Sequence, residues 1–311
     1  MTDVFITHSE RIEEAIAAAL QHVPLATLVK DRRVAVKPNE TWASADDTTG
    51  ITQPDTLRAV LREVKRHHPR ALIVTGGAGA AETDDVFRIG GLMEVVEQEG
   101  AEFVDHNRPP FTSVELEYRP SAEVAGPQAS VMVNQRVLEY ETLIAVNQLK
   151  LHETATVTLA LKNIAMSYPA ADYYGHPRST QKHANQFFAD MHSFIAAMAK
   201  RFPIHLATFA GHPDLTFTVG HPAMIGPGPL GAHTFEPGLV IASSDALAAD
   251  VVGARLLGFT TQAVRHLWEA ARLGVGETDL DRMRFPALSM REAIGRFTEA
   301  AYGRRLDFEH A

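Results

Sequence analysis

The sequence predicts an α/β fold in which a mainly parallel sheet carries helices on both faces. Short β-branched runs recur along the chain, segments with helical spacing of apolar residues lie between them, and the two alternate. This alternation is typical of parallel strands joined by crossover helices. We expect one α/β domain over residues 1–311, with a His-, Pro- and Gly-rich insertion at residues 167–236 that forms a lid or second lobe.

The first strand and helix pair is predicted around residues 33 to 65. The run RVAVKPN predicts a strand that closes at Lys37 and Pro38. Thr52 is a good N-cap, Pro54 suits a first helical turn, and apolar residues follow at helical spacing. A helix therefore follows this strand.

The same two patterns predict the later elements. A helix is expected to begin near Thr83, a second to cover part of His183–Arg201, and a third to run from Ser244 or Asp245 to Gly258. Further strands are predicted at Ala71–Thr75, Ala101–Asp105, Thr142–Asn147 and Gly238–Ser243.

The stretch NQLKLHETATVTLALKN allows two interpretations. As one long strand it would separate Lys150 and Lys162 by ~40 Å, too far to share a small ligand. As a strand, a turn and a helix capped by Thr154 or Thr156, it would put Lys150 and His152 beside a helix N-terminus, where anions bind. We favour the second interpretation; the alternative is that both lysines are surface charges.

Lys37 and Asn39 stand just past a strand, as Lys150 does. We expect two lysines at the carboxyl ends of strands to converge on one crevice and neutralise a dianion such as a dicarboxylate or phosphate. The alternative is a pair of unrelated charges at the sheet edge.

Asp250 lies within the apolar stripe of its predicted helix. A carboxylate that faces a core must be paired, hydrogen-bonded or protonated, because an isolated buried charge is very costly. Its partner could be a lysine, a bound metal or a backbone amide, and a purely structural ion pair explains it equally well.

In combination, the segments VAVKPN, VNQLKLHETATVTLALKN, GPGPLG and ASSDALAADVVGARLLG resemble the family called domain of unknown function 362. The resemblance runs from about Val34 to Gly276 and implies an α/β fold but no known reaction. Val219 stands where the family often has an acidic residue. The positions that match the family pattern are Lys37, Asn39, Lys150, His152, Lys162, Asn163, the Gly and Pro residues from Gly226 to Gly231, Asp245 and Asp250.

Composition excludes several classes of partner and cofactor. The formal net charge of −9 argues against nucleic acid. Some members of the resembled family carry an iron–sulfur module, which we do not expect here because the chain has no cysteine.

Gly77 and Gly79 form only part of a NAD fingerprint, since Glu82 replaces the third glycine. No leader or long apolar stretch is evident, so we expect a cytoplasmic protein with no membrane partner; a homo-oligomer is compatible with the sequence.

These patterns predict an enzyme that binds a small anionic metabolite, a carboxylate or a phosphate, and transfers protons as an isomerase, lyase or racemase does. The alternatives are a metal-dependent hydrolase and a non-catalytic anion- or metal-binding protein. Proline after His176 predicts an imidazole presented from a loop. The predicted catalytic residues are His152, Lys150, Lys162 and Asp250; the predicted substrate-binding residues are Lys37, Asn39, Asn163, His176, His183 and Gly228; the candidate ligands of a divalent metal are His152, His176, His183 and Asp250.

Overall fold

The computed structural model describes residues 1–117, 130–174, 190–211, 223–225 and 233–306. The strands of these residues are β1 (Thr2–Asp3), β2 (Phe5–His8), β3 (Arg33–Pro38), β4 (Ala71–Gly76), β5 (Glu102–Asp105), β6 (Phe111–Glu115), β7 (Ser130–Asn134), β8 (Thr142–Gln148), β9 (Lys150–His152), β10 (Thr156–Thr158), β11 (Leu206–Gly211), β12 (Ala223–Ile225), β13 (His233–Phe235), β14 (Leu239–Ser243) and β15 (Met283–Arg284).

Helices connect most of these strands. The α-helices of the described residues are α1 (Ile12–Leu20), α2 (Leu25–Val29), α3 (Pro54–Lys65), α4 (Thr83–Ile89), α5 (Leu92–Glu99), α6 (Ala160–Ala165), α7 (Ala171–Tyr174), α8 (Met191–Arg201), α9 (Ala246–Leu256), α10 (Arg265–Arg272) and α11 (Met290–Tyr302). Short 3-10 helices lie at Gln135–Glu139, Thr261–Ala263 and Leu280–Arg282.

The main sheet has seven strands in the order β2-β14-β11-β8-β3-β4-β5. The pairs from β11 through β8, β3 and β4 to β5 are parallel, whereas β14 is antiparallel to both of its neighbours. A smaller sheet has the order β10-β9-β12-β13, and its strand β9 follows β8 in the chain after one residue. The predicted α/β class with a mainly parallel sheet is therefore confirmed.

Apolar side chains cover both faces of the main sheet. Val34 and Val36 of β3 join a core with helices α1, α3 and α5, while Ala35 between them joins a second core with α6, α8 and α9. This alternation follows from the two-residue period of a strand that is buried on both sides. Helices on both faces are thus confirmed as well.

Most predicted boundaries hold to within one or two residues. The exception is the start of α6, because the prediction that Thr154 or Thr156 caps this helix is wrong. Residues Thr156–Thr158 instead pair with Lys150–His152 as an antiparallel hairpin, and α6 begins only at Ala160. The helix that follows β14 does begin as predicted, since Asp245 accepts a hydrogen bond from the amide of Ala248 at 3.0 Å.

The insertion predicted at residues 167–236 is described only in part. Residues 175–189, 212–222 and 226–232 lie outside the described residues. The lid or second lobe, and the division into one domain, therefore stay predictions. None of the described helices combines the length and the apolar character needed to cross a membrane.

Candidate functional site

The candidate site lies at the carboxyl ends of three neighbouring parallel strands, β8, β3 and β4. Lys37 is the second-last residue of β3, and Lys150 follows the end of β8 by two residues. The chain after β4 contributes Gly77. Because parallel strands end at the same edge of a sheet, residues far apart in sequence meet here.

Lys37 is fully buried and paired with a carboxylate of its own turn. Its ammonium donates to Oε2 of Glu40 and, at 3.0 Å, to Oδ1 of Asn163. Burial lowers the pKa of Lys37, and the negative charge of Glu40 opposes that shift. The other oxygen of Glu40 accepts from the amide of Gly77 at 2.8 Å and from the hydroxyl of Ser167 at 3.2 Å. This ion pair therefore joins β3 to the turn after β4.

Asn163 connects β3 to β8 through its amide group. Its Nδ2 donates to Oδ1 of Asn147 at 2.8 Å and to the carbonyl of Lys37 at 3.3 Å. Its Oδ1 accepts from Lys37 and, at 3.4 Å, from Nδ2 of Asn39. Lys37 thus fixes the orientation of the Asn163 amide, because only an oxygen can accept from an ammonium.

The fully buried Asp250 caps the helix that carries Lys162 and Asn163. Its two carboxylate oxygens accept from the amides of Ala160 and Leu161, each at 2.9 Å. Burial raises the pKa of Asp250, and the two amides oppose that shift because they stabilise the ionised carboxylate. The sequence left three kinds of partner open for Asp250: a lysine, a metal or a backbone amide. The structure gives it backbone amides, so Asp250 makes the contacts of a positioning residue.

Lys150 is buried and its ammonium donates to the carbonyl of Gly50 at 2.6 Å. Burial and then the positive charge of Lys162 lower the pKa of Lys150 to about 7. Within the described residues Lys150 does not line the pocket around Lys162.

Lys162 lines a cavity of about 120 Å³ whose described walls include Asn39, Glu40, His152 and Ser167. The residue is 7% exposed, and burial lowers the pKa of Lys162 to about 8. Among the residues that the structure describes, its ammonium has no hydrogen-bond or ion-pair partner. Lys162 is thus a mostly protonated cation at pH 7, and Glu40, the carboxylate of the described pocket wall, is paired with Lys37 rather than with Lys162.

His152 presents a neutral imidazole to the same pocket. Its Nδ1 accepts from the amides of Thr154 and Ala155 at 3.1 and 3.2 Å, so its proton lies on Nε2. Burial, then the charges of Lys162 and Lys150, lowers the pKa of His152 to about 2. In the part of the chain described, Nε2 has no partner and remains a hydrogen-bond donor.

Two histidines that sequence reasoning did not select stand behind this pocket. Nδ1 of His192 and Nδ1 of the fully buried His266 lie 3.1 Å apart, and their rings stack with centroids at 5.3 Å. Burial, then the neighbouring imidazole of His192, holds the pKa of His266 well below its usual range. Apart from being histidines, nothing in the sequence indicates that these two residues meet, because the contact joins α8 to α10 across 74 residues.

The structure brings five of the predicted site residues together: Lys37, Asn39, His152, Lys162 and Asn163. Lys150 and Asp250 lie next to them with backbone partners, and His176, His183 and Gly228 lie outside the described residues. Over the described ranges no group of three or more His, Asp or Glu residues is arranged to hold a metal ion. Sequence reasoning missed the roles of Glu40, Ser167 and Asn147; the spacing of Glu40, three residues after Lys37, was the one available signal.

Comparisons with known proteins match most of the chain. The thylakoid-associated protein sll1697 of Synechocystis sp. is 23% identical over 270 residues, which cover 84% of this chain and 74% of that protein. The solved lactate racemase apoprotein from Thermoanaerobacterium thermosaccharolyticum aligns with a TM-score of 0.43 and 14% identity over 68% of this chain. This chain spans about half of that protein, 51% of its length. The family model described as domain of unknown function (DUF362) matches residues 34–255, well over half of the sequence. The chain belongs to the DUF362 family.

Proposed function

We propose that this protein is an enzyme that binds a small monoanionic carboxylate at Lys162 and His152 and moves protons on it. The observation that carries the proposal is Lys162: the residue is 7% exposed and lines the pocket, and its ammonium has no partner among the described residues. A buried cation without a counterion is costly, and a bound anion offsets that cost.

The charges around the pocket favour a single negative charge over two. Lys37 is already neutralised by Glu40, and Lys150 donates to the carbonyl of Gly50. Lys162 is therefore the cation left for a ligand within the described site. A cavity of about 120 Å³ is also far smaller than the ~300–1,000 Å³ of pockets for drug-sized ligands, so a ligand of a few heavy atoms fits best.

The chemistry follows from the two donors. Nε2 of His152 and the ammonium of Lys162 can both donate hydrogen bonds to the same anion. Both hydrogen bonds become stronger as negative charge grows on a carboxylate oxygen. Loss of a proton from the carbon beside a carboxylate creates such charge, and Glu40, the carboxylate of the described pocket wall, is the group placed to take that proton. A neutral imidazole suits this role because its N–H group can donate a hydrogen bond to the carboxylate oxygen while the ring itself stays uncharged. The supported reaction class is proton transfer of the isomerase, lyase or racemase type.

A non-catalytic anion-binding protein is the second candidate, and Glu40 is the observation that favours it. Glu40 is the carboxylate of the described pocket wall, yet its oxygens accept from Lys37, Gly77 and Ser167. A carboxylate with that many donors is a weak base. Such a pocket would hold a carboxylate without abstracting a proton from it.

Two measurements test the proposal. Calorimetry with small carboxylates and with inorganic phosphate compares the wild type with Lys162→Met, which keeps the side-chain length but removes the charge. Lys30→Met is the matched control, because Lys30 is exposed. We expect carboxylate binding to be lost in Lys162→Met and retained in Lys30→Met; equal binding by all three proteins would contradict the assignment of the site.

Proton transfer is then followed by NMR in D₂O. The protein is incubated with the carboxylates that bind, and incorporation of deuterium beside the carboxylate is recorded. We expect incorporation with the wild type and none with Lys162→Met. Binding without deuterium incorporation for every carboxylate that binds would favour the non-catalytic candidate.

A further inference from the structure

Asn39 is a residue of the wall of the Lys162 pocket and carries a buried, unsatisfied acceptor. The residue is 3% exposed, and its Oδ1 has no hydrogen-bond partner in the part of the chain that the structure describes. Six buried side-chain atoms of the described residues share this property, and of these only the one on Asn39 belongs to a residue of this pocket wall.

The orientation of the Asn39 amide is set by its neighbours. Oδ1 of Asn163 is fixed as an acceptor by the ammonium of Lys37 at 3.0 Å. Asn39 must therefore turn its Nδ2 toward Asn163, where it donates at 3.4 Å, and its Oδ1 away. The unsatisfied atom is thus an oxygen, which can only accept.

A buried acceptor without a donor destabilises the folded state, so folding alone does not favour this arrangement. The side-chain oxygens of the neighbouring Glu40 and Asn163 are in use, since Glu40 accepts from three groups and Asn163 from two. A ligand that fits the pocket therefore gains most by bringing a donor as well as an anion.

We propose that the ligand of the Lys162 pocket is a small hydroxy-carboxylate whose hydroxyl group donates to Oδ1 of Asn39. A protonated amine would also donate, but its positive charge would be repelled by the ammonium of Lys162. A hydroxyl group is neutral and has no such cost. This inference rests on the proposed function and adds the class of substrate and the residue that selects it.

The test compares ligands that differ at one group. One set is glycolate, methoxyacetate and acetate; the other is 3-hydroxypropionate, 3-methoxypropionate and propionate. Each methoxy compound keeps the oxygen but cannot donate. We expect the hydroxy compound of at least one set to bind the wild type roughly threefold to tenfold more tightly than both partners, as one hydrogen bond of about 0.7–1.4 kcal/mol requires.

The variant Asn39→Ala should bind the three members of that set within a factor of about two, since the acceptor is gone. Asn39→Leu, whose side chain has the same number and branching of heavy atoms as asparagine, is the second variant if the alanine protein folds poorly by circular dichroism. In each variant the three affinities are compared with one another, so a general weakening of carboxylate binding does not imitate the loss of the hydroxyl preference.

The outcomes separate the two proposals. If the hydroxy, methoxy and unsubstituted compounds bind the wild type equally in both sets, the role of Asn39 is wrong while carboxylate binding at Lys162 stands. If a hydroxyl preference exists but persists in both Asn39 variants, another residue reads the hydroxyl and the inference is again wrong. If no compound binds the wild type, this inference and the proposed function both fail.

Discussion

Asp250 holds the first turn of the helix from which Lys162 projects, because its carboxylate accepts from the amides of Ala160 and Leu161, each at 2.9 Å. The helix is short, at six residues, and its N-cap residue Leu159 offers no side-chain acceptor. The position of the pocket cation thus depends on a carboxylate that is remote in sequence.

Replacement of Asp250 by alanine should lower the free energy of unfolding by about 2–4 kcal/mol, because two buried amides lose their acceptor. Asp250→Asn keeps one acceptor oxygen and should lose less. Urea unfolding measures both. Asp279→Ala is the control, since Asp279 is an exposed aspartate that also accepts from a backbone amide, at Asp281. Equal losses in the buried and the exposed variant would contradict the capping role.

Lys150 should make stability rise with pH. Its folded pKa of about 7 lies below its ordinary value of 10.5. Between these two values the unfolded chain binds a proton that the folded chain does not, so this group contributes a gain of up to about 1.4 kcal/mol per pH unit, which is lost as the pH falls toward 7. Urea unfolding at pH 7, 8 and 9 should show the wild type gaining stability relative to Lys150→Met. Parallel pH dependences would mean that Lys150 keeps its ordinary pKa.

The substitution Lys162→Met should raise the pKa of His152. The charge of Lys162 is the second cause, after burial, of the low pKa of about 2, so its removal shifts the equilibrium toward the protonated ring. NMR of protein with ¹³C-labelled histidine measures this shift as the pH is lowered. His205 is the internal control, because its lowered pKa comes from burial and from Arg32. An unchanged His152 titration would show that the two groups do not interact.

Lys37 and Glu40 should behave as one unit in a double-mutant cycle. Glu40→Leu leaves a fully buried ammonium without its carboxylate, which is expected to cost about 3–5 kcal/mol. The double variant Lys37→Met, Glu40→Leu removes both charges and should be more stable than Glu40→Leu alone. Denaturant unfolding of the four proteins gives the coupling energy. A double variant as unstable as the sum of the two single ones would rule out direct pairing.

The sequence is a good guide to the strands because each buried strand carries its own local pattern. The run from Val34 to Val36 is apolar, and Lys37 and Pro38 end it visibly, so the end of β3 was predictable. The order of the strands was not, since β8 lies beside β3 although more than 100 residues separate them. Placing Lys37 and Lys150 past two strand ends was thus a local inference, whereas their proximity depended on topology.

The contacts of the site were the least predictable part. Lys37 meets Asn163 across 126 residues, and Asp250 meets Ala160 across 90. No local pattern specifies such pairs. The carboxylate of Asp250 could be predicted to need a partner, because burial demands one, but not to find it at the start of α6. The hairpin before α6 was missed because its threonines suit a helix cap as well as a strand.

The β9–β10 hairpin pairs Lys150 with Thr158 and His152 with Thr156, which puts both functional side chains on the same face of a two-residue alternation. The side chains that this segment presents to one face therefore depend on the odd or even spacing of its residues as much as on its composition. One residue inserted between Lys150 and His152 would turn the imidazole to the opposite face, whereas an insertion of two would preserve its direction. The segment can therefore change length only in even steps if lysine and histidine are to stay aligned.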